Sequence, residues 1–203
     1  RGLGDVYKRQ GLICLFCSER TFSQVIKIEN GVSFSKMNAA SSLNFHNPLP
    51  FYTVNIGCDY LEKDWFFLSS EIGYVRKGGK GHSNDEIGFS EKNTLDCITL
   101  NTSFNVKCNV GGFNLYLGVA PTLDFALKNK YSSESLSWKD EWEMYPEHRV
   151  FLGIKPSIGM FYDINKIRLS LETFYMKNIT KLSKFDGVKA NTFLLSFGIG
   201  YKL

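Results

Sequence analysis

Eight stretches of this 203-residue chain alternate apolar and polar side chains with period two, and no other feature limits its possible folds so strongly. A strand turns successive side chains to opposite faces, so each stretch reads as a β-strand with one apolar and one polar face. In 94–110 the even positions are Ile98, Leu100, Thr102, Phe104, Val106 and Cys108; the odd ones are Thr99, Asn101, Ser103, Asn105, Lys107 and Asn109. Residues 113–127 set Phe113, Leu115, Leu117, Val119, Pro121, Leu123, Phe125 and Leu127 against Asn114, Tyr116, Gly118, Ala120, Thr122, Asp124 and Ala126. The same split recurs in 51–61 and in 192–203. The expected strands are 24–37, 50–61, 64–77, 94–109, 112–128, 149–164, 166–180 and 190–203.

The connections carry as much information as the strands. Short links at 61–64, 109–112 and 165–166 alternate with long ones at 38–48, 77–93, 128–149 and 178–190. Every long loop then falls at one end of an up-and-down meander. Every short turn, with both termini, falls at the other. That asymmetry, with an even number of strands of roughly 9–11 residues or more, predicts an all-β, eight-stranded antiparallel up-and-down transmembrane β-barrel. A soluble barrel packs apolar side chains inside, whereas a lipid-embedded one turns them outward. Alternation alone does not say which face is inside; the connection pattern, an export signal and the aromatics favour apolar outward. Closure also removes sheet edges, whose unpaired backbone groups lipid does not tolerate.

Particular residues acquire expected places in this barrel. Tyr60, Trp65, Phe66, Tyr162 and Tyr201 fall near the short-turn end and Tyr74 near the long-loop end, as membrane-interface aromatics. The polar set contains Lys27, Glu29, Asp59, Glu71, Lys107, Asp124, Lys155, Asp163, Arg168 and Glu172. Eight strands leave a lumen just wide enough for side chains to fill. Glu71, Lys155 and Glu172 should share a mid-barrel depth, with Arg168 one layer nearer the short turns; the four are expected to form a salt-bridged plug. Pro121 and Pro156 lie inside strands and lack an N–H for the ladder, so a bulge or local break is expected at each.

Composition narrows the function classes. Gly is abundant and aromatics reach 15%, both β habits. The formal charge of +4 falls to +2 once 1–10, with three basic residues and one acidic, is set aside; this is too weak to imply nucleic acid. Cys58, Cys97 and Cys108 are an odd number without metal-ligand spacing, and no metal or cofactor is expected. On alternation, Cys58 and Cys108 face lipid and Cys97 the lumen. His46, His82 and His148 fall in expected loops. The segment DVYKRQ back-translates to a string that looks like a transposon mosaic end, so 1–10 is read as a translated sequencing adapter. Residues 11–23 are read as a truncated export signal, and 24–203 as the barrel domain.

In NGVSFSKMN, SSEIGYVRKGGKG, LYLGVAPTLDF and the terminal LLSFGIGYKL, the chain resembles the PorT-like outer-membrane β-barrel family of Gram-negative bacteria. The resemblance implies the bacterial outer membrane, with lipid as surroundings and barrel-assembly machinery as partner during biogenesis. The ending Phe197, Ile199, Tyr201, Leu203 is similar to the signal that this machinery reads, with Leu203 where Phe is usual. The resemblance supplies no catalytic residue.

The expected function is a non-enzymatic structural, adhesive or binding barrel acting through its long loops, with ligand and partner unspecified. Trp138, Trp142 and Tyr145 in the 128–149 loop are the recognition candidates, since rigid aromatics make good anchors. The same segment equally suits a cover for the barrel mouth or an extension of its strands. Alternatives are a lipid-modifying enzyme, for which His82, Ser83 and Asp85 are the tempting cluster, a soluble periplasmic ligand-binding barrel, and a secretion accessory.

Overall fold

The computed structural model describes residues 24–38, 45–82, 90–134, 139–144, 149–180 and 189–203. They form nine strands and no helix: β1 (Val25–Asn38), β2 (Phe45–Tyr60), β3 (Phe66–His82), β4 (Ser90–Val110), β5 (Phe113–Glu134), β6 (Lys139–Met144), β7 (Val150–Ile164), β8 (Ile167–Asn178) and β9 (Lys189–Lys202). All pairings are antiparallel. Eight strands close a ring, β1 meeting β9 from Val25 opposite Lys202 to Asn38 opposite Lys189. The fold is therefore a closed eight-stranded antiparallel barrel. The ninth strand, β6, pairs with the far end of β5, from Asn129 opposite Met144 to Glu134 opposite Lys139.

Several strands run past their expected ends, β4 starting at Ser90 and β5 continuing to Glu134. Within 128–149, the described residues 128–134 and 139–144 thus extend the strands. Period-two patterning fades beyond the apolar band, yet the backbone ladder continues because a neighbouring strand is present to accept it. At the opposite end the turns are tight. Val110 and Phe113 flank Gly111 and Gly112, with φ of 60° and 93°. Positive φ at both central positions is the type I′ hairpin that glycine adopts without steric cost. Leu61 and Asn165 take φ of 52° in the other two turns.

Pro121 and Pro156 interrupt the ladder without shifting its register. By contrast β2, which begins earlier than expected and so includes Pro48 and Pro50, shifts register against β3 between Pro48 and Val54. Pro121 stays opposite Ile154, and Pro156 opposite Val119, across β5 and β7. On the far side of each, pairing lapses: β4/β5 between Asn101–Thr122 and Phe104–Val119, β7/β8 between Ile154–Lys177 and Ser157–Phe174. The missing N–H costs a ladder bond on one side only, so a local break forms at each and no bulge. A true bulge occurs higher up, where Asp96 faces Lys128 and Cys97 faces Ala126, leaving Leu127 unmatched.

The faces are sorted by chemistry. Ile56, Leu117, Ile158 and Ile199 are exposed on the outside, each more than half accessible, while Lys27, Glu71, Lys155 and Arg168 are buried inside. The interior also holds apolar side chains, in three separate clusters. Phe67, Tyr116 and Phe161 pack together nearest the short turns; Phe174, Met176 and Leu194 form a second group. Met37, Leu95, Cys97, Ala126, Phe151 and Ala190 form a third toward the long-loop end. Charged and apolar groups share the lumen rather than one kind filling it.

Candidate functional site

The lumen is the most elaborate side-chain assembly in the barrel, and its charges divide into layers. Nearest the short turns, Arg168 of β8 is 1% exposed and donates to three carboxylates. Its Nε and Nη2 reach Asp163 at 2.9 and 3.1 Å, Nη1 reaches Asp59 at 3.2 Å, and Nη2 also lies 2.9 Å from Glu62. The guanidinium lies over the Phe161 ring, 3.7 Å from its centroid. A planar fork with several fixed donors suits this many-partnered position better than an ammonium would. Glu62, in the β2–β3 turn, also accepts from Lys107 at 2.5 Å. Burial raises the Glu62 carboxyl, but Arg168 and Lys107 outweigh it and hold the group below its ordinary value.

The next layer lies deeper. Lys27 of β1 places Nζ 2.8 Å from Glu29, 2.8 Å from Glu71 and 3.3 Å from Asp59. Lys155 of β7 reaches Glu71 at 2.7 Å and Glu172 at 3.6 Å, with Nζ 4.0 Å from the Phe174 ring centroid. Glu71 therefore joins the two lysines, and Asn101 donates to its second oxygen at 3.2 Å. Tyr116 crosses the lumen from β5 to donate to Glu172 at 3.0 Å. Gly159 leaves the room for it: a Cβ there would lie 2.4 Å from the Tyr116 ring. Charge removed from water this far persists only when paired and hydrogen-bonded. Carboxylate oxygens of Glu29, Glu71 and Glu172 lie within 4.8 Å of one another, a spacing that suits a metal ion. The ammonium groups of Lys27 and Lys155 already supply positive charge among them.

Toward the long-loop end a third group forms. Lys77 donates to Asp124 at 2.5 Å and to Asn178 at 2.9 Å, and Thr99 donates to Asp124 at 2.7 Å. Lys77 and Asp124 are fully buried.

The structure brings Glu71, Lys155 and Glu172 into direct contact. Arg168 belongs to the neighbouring layer and joins them through Asp59 and Lys27, one step nearer the short turns. Sequence reasoning places Lys27, Glu29 and Asp59 on the polar face but not in this assembly. The missing signal is relative depth, which depends on the stagger between strands. Lys77 falls at an expected strand end, where alternation stops and nothing marks it as a lumen residue.

Trp142 is described, half exposed on β6, its ring 5.7 Å from that of Tyr131; Trp138 and Tyr145 lie outside the described residues. Ser83, Asp85 and His148 also lie outside them, as do the side chains of His46 and His82. Phe66 stacks on Phe104 and Trp65 meets Phe104 edge-on at the short-turn end, where Tyr162 packs on Phe113 and Lys166 lies over Tyr201. The Tyr60 hydroxyl meets Ser70 at 3.0 Å, and Tyr74 accepts from Arg76 at 3.1 Å at the opposite end. Cys97 is buried and Cys108 exposed, with Cys58 between; all three are free thiols.

No protein-family model matches the sequence, and no curated protein matches it. Among solved structures, the chain is similar to the outer-membrane protein OprG of Pseudomonas aeruginosa at 11% identity and a TM-score of 0.53. That match covers 89% of this chain and 96% of the other. It is also similar to a major outer-membrane protein of Thermus thermophilus, at 10% identity and a TM-score of 0.50, covering 91% of this chain and all of that one. At these identities the likeness is one of fold: the barrel is built as outer-membrane β-barrels are.

Proposed function

We propose that the chain is a bacterial outer-membrane barrel with a non-enzymatic structural, adhesive or binding role, exercised at its long-loop end. The observation that carries this reading is the inversion of its faces. A closed barrel holds Lys27, Glu71, Lys155 and Arg168 inside and turns Ile56, Leu117, Ile158 and Ile199 outward. A soluble monomer seldom exposes a continuous apolar patch above a few hundred Å², and this band surrounds the molecule. In lipid the same band needs no cover. Outer-membrane lipid is then the surroundings, and the alternating end at Phe197, Ile199, Tyr201 and Leu203 is the feature for assembly machinery to read.

The layered ion pairs and apolar clusters favour a plug over a solute path, in keeping with the narrow lumen of eight strands. The finer PorT-like reading, with its secretion-accessory role, stands on the short strand motifs quoted above. Recognition is assigned to Trp138, Trp142 and Tyr145 in the 128–149 segment. The direct test is refolding into phosphatidylcholine vesicles with heat-modifiable gel migration as readout, followed by planar-bilayer conductance. A membrane-bound, heat-modifiable protein with negligible conductance is expected. Recovery in the soluble fraction without detergent overturns the membrane reading, and steady porin-like conductance overturns the plug.

A further inference from the structure

Above the apolar band, the outward faces of β3, β4 and β5 change abruptly to cations. Ile98 and Leu127 are the last apolar outward residues there, and the next layer is Arg76 opposite Asp96 opposite Lys128. Two outward layers higher, Lys80 stands directly opposite Lys92, with Lys130 diagonal to it across Thr94. Like charges placed opposite each other destabilise a strand pair. The other cations of this face are answered within the chain. Arg76 holds Asp96 at 2.5 Å, and Lys128 and Lys130 share Glu143. Among the described residues, Lys80 and Lys92 form no ion pair.

The two lysines line a cavity of about 600 Å³. Ser90, Thr94 and Ser132 add hydroxyls to the same lining, Lys130 adds a third ammonium, and Glu134, Glu141 and Glu143 add carboxylates, Glu143 being held by Lys128 and Lys130. Ammonium groups interspersed with hydroxyl donors are the chemistry that binds a phosphate. We propose that Lys80 and Lys92 bind the phosphate of a phosphorylated saccharide headgroup on an outer-leaflet glycolipid. Height decides between headgroups. Lys80 is four residues beyond Arg76, so with strands tilted about 40° it stands roughly 10 Å above the first charged layer. The headgroup region of a simple bilayer is only about 5–7 Å deep on each side, so this height favours a phosphate raised on sugars over that of a simple phospholipid. The bound anion removes the Lys80–Lys92 repulsion.

The site rests on the membrane reading above, so insertion is verified first, by heat-modifiable migration from phosphatidylcholine nanodiscs. Failure to insert overturns both. The inserted barrel is then titrated with fluorescent lipid A, a diphosphorylated glucosamine disaccharide. The double variant Lys80→Gln, Lys92→Gln should weaken binding about tenfold or more. The control Lys166→Gln, a cation at the short-turn end that lies over Tyr201 and far from this cavity, should change it less than about twofold. Dephosphorylated lipid A should bind as weakly as the double variant. Equal binding by wild type and double variant, or by the dephosphorylated probe, overturns the site. Free glucosamine 1-phosphate binding as tightly as lipid A overturns the lipid-borne source.

Discussion

Two charged layers of one lumen use the same ionic chemistry under different exposure to water. In the layer nearest the short turns, one guanidinium gathers Asp59, Glu62 and Asp163, and the Asp163 side chain is 23% exposed. In the layer above, Lys155, Glu71 and Glu172 are at most 5% exposed, behind the Phe67, Tyr116 and Phe161 cluster. In the first layer Glu62 and Asp163 can recover water at the barrel end if they lose Arg168, and buried Asp59 keeps Lys27. A carboxylate that loses its partner in the second has nowhere to turn. Burial depth, more than the count of ion pairs, sets the cost of breaking either group.

The sharpest way to break this comparison is to remove one cation from each layer. Lys155→Met should lower unfolding free energy by about 3–5 kcal/mol, because it leaves Glu71 short of one partner and Glu172 without a cation in contact. Arg168→Met should cost less, about 1–3 kcal/mol, despite its more numerous hydrogen bonds, since Glu62 and Asp163 can rehydrate. Urea titrations of both variants in the same vesicles measure the difference. Equal losses, or a larger loss for Arg168, would remove water access as the explanation.

The face of each of these residues is legible in the sequence, because the parity of an alternating strand assigns it. Eight strands, the three tight turns and the long-loop end follow from the same pattern. Depth is only partly legible. Counting from the short turns puts Glu71, Lys155 and Glu172 level, yet it does not place Lys27 beside Glu71, because the β1–β2–β3 stagger is set by pairing. The buried Phe67, Phe161 and Phe174 are hidden for another reason. A polar-looking face conceals an occasional large apolar side chain, and only the closed lumen shows that such residues gather in clusters among the charges. The strands that outrun the apolar band lack the periodic signal, so β6 and residues 129–134 of β5 look like loop in the sequence.

Acid offers a gentler probe of the outer layer. The Glu62 carboxyl sits below its ordinary value when folded, so its stabilising contribution is complete above the unfolded value of about 4.3. It is lost as pH falls through the depressed folded value. Stability measured from about pH 6 down to about pH 3 should therefore fall in the wild type and fall less steeply in Glu62→Gln. A variant that keeps the full slope would assign the acid sensitivity to other carboxylates.

The smallest expected effect lies in the deeper layer, which makes it the more instructive. Three carboxylates there, Glu29, Glu71 and Glu172, face two lysines, so one negative charge is in excess. Glu71 is engaged by both ammonium groups and by Asn101, whereas neither oxygen of Glu29 accepts a hydrogen bond among the described residues. Lys27 lies 2.8 Å from Glu29 but keeps Glu71 and Asp59 if that charge is removed. Glu29→Gln should thus leave stability within about 0.5 kcal/mol of wild type, while Glu71→Gln, at a similar burial, should cost several times as much. Parallel urea titrations separate the two, and an equal cost would mean that every carboxylate of the layer is needed as a charge. Unequal costs would show that deep burial penalises a lost partner and leaves a surplus charge dispensable.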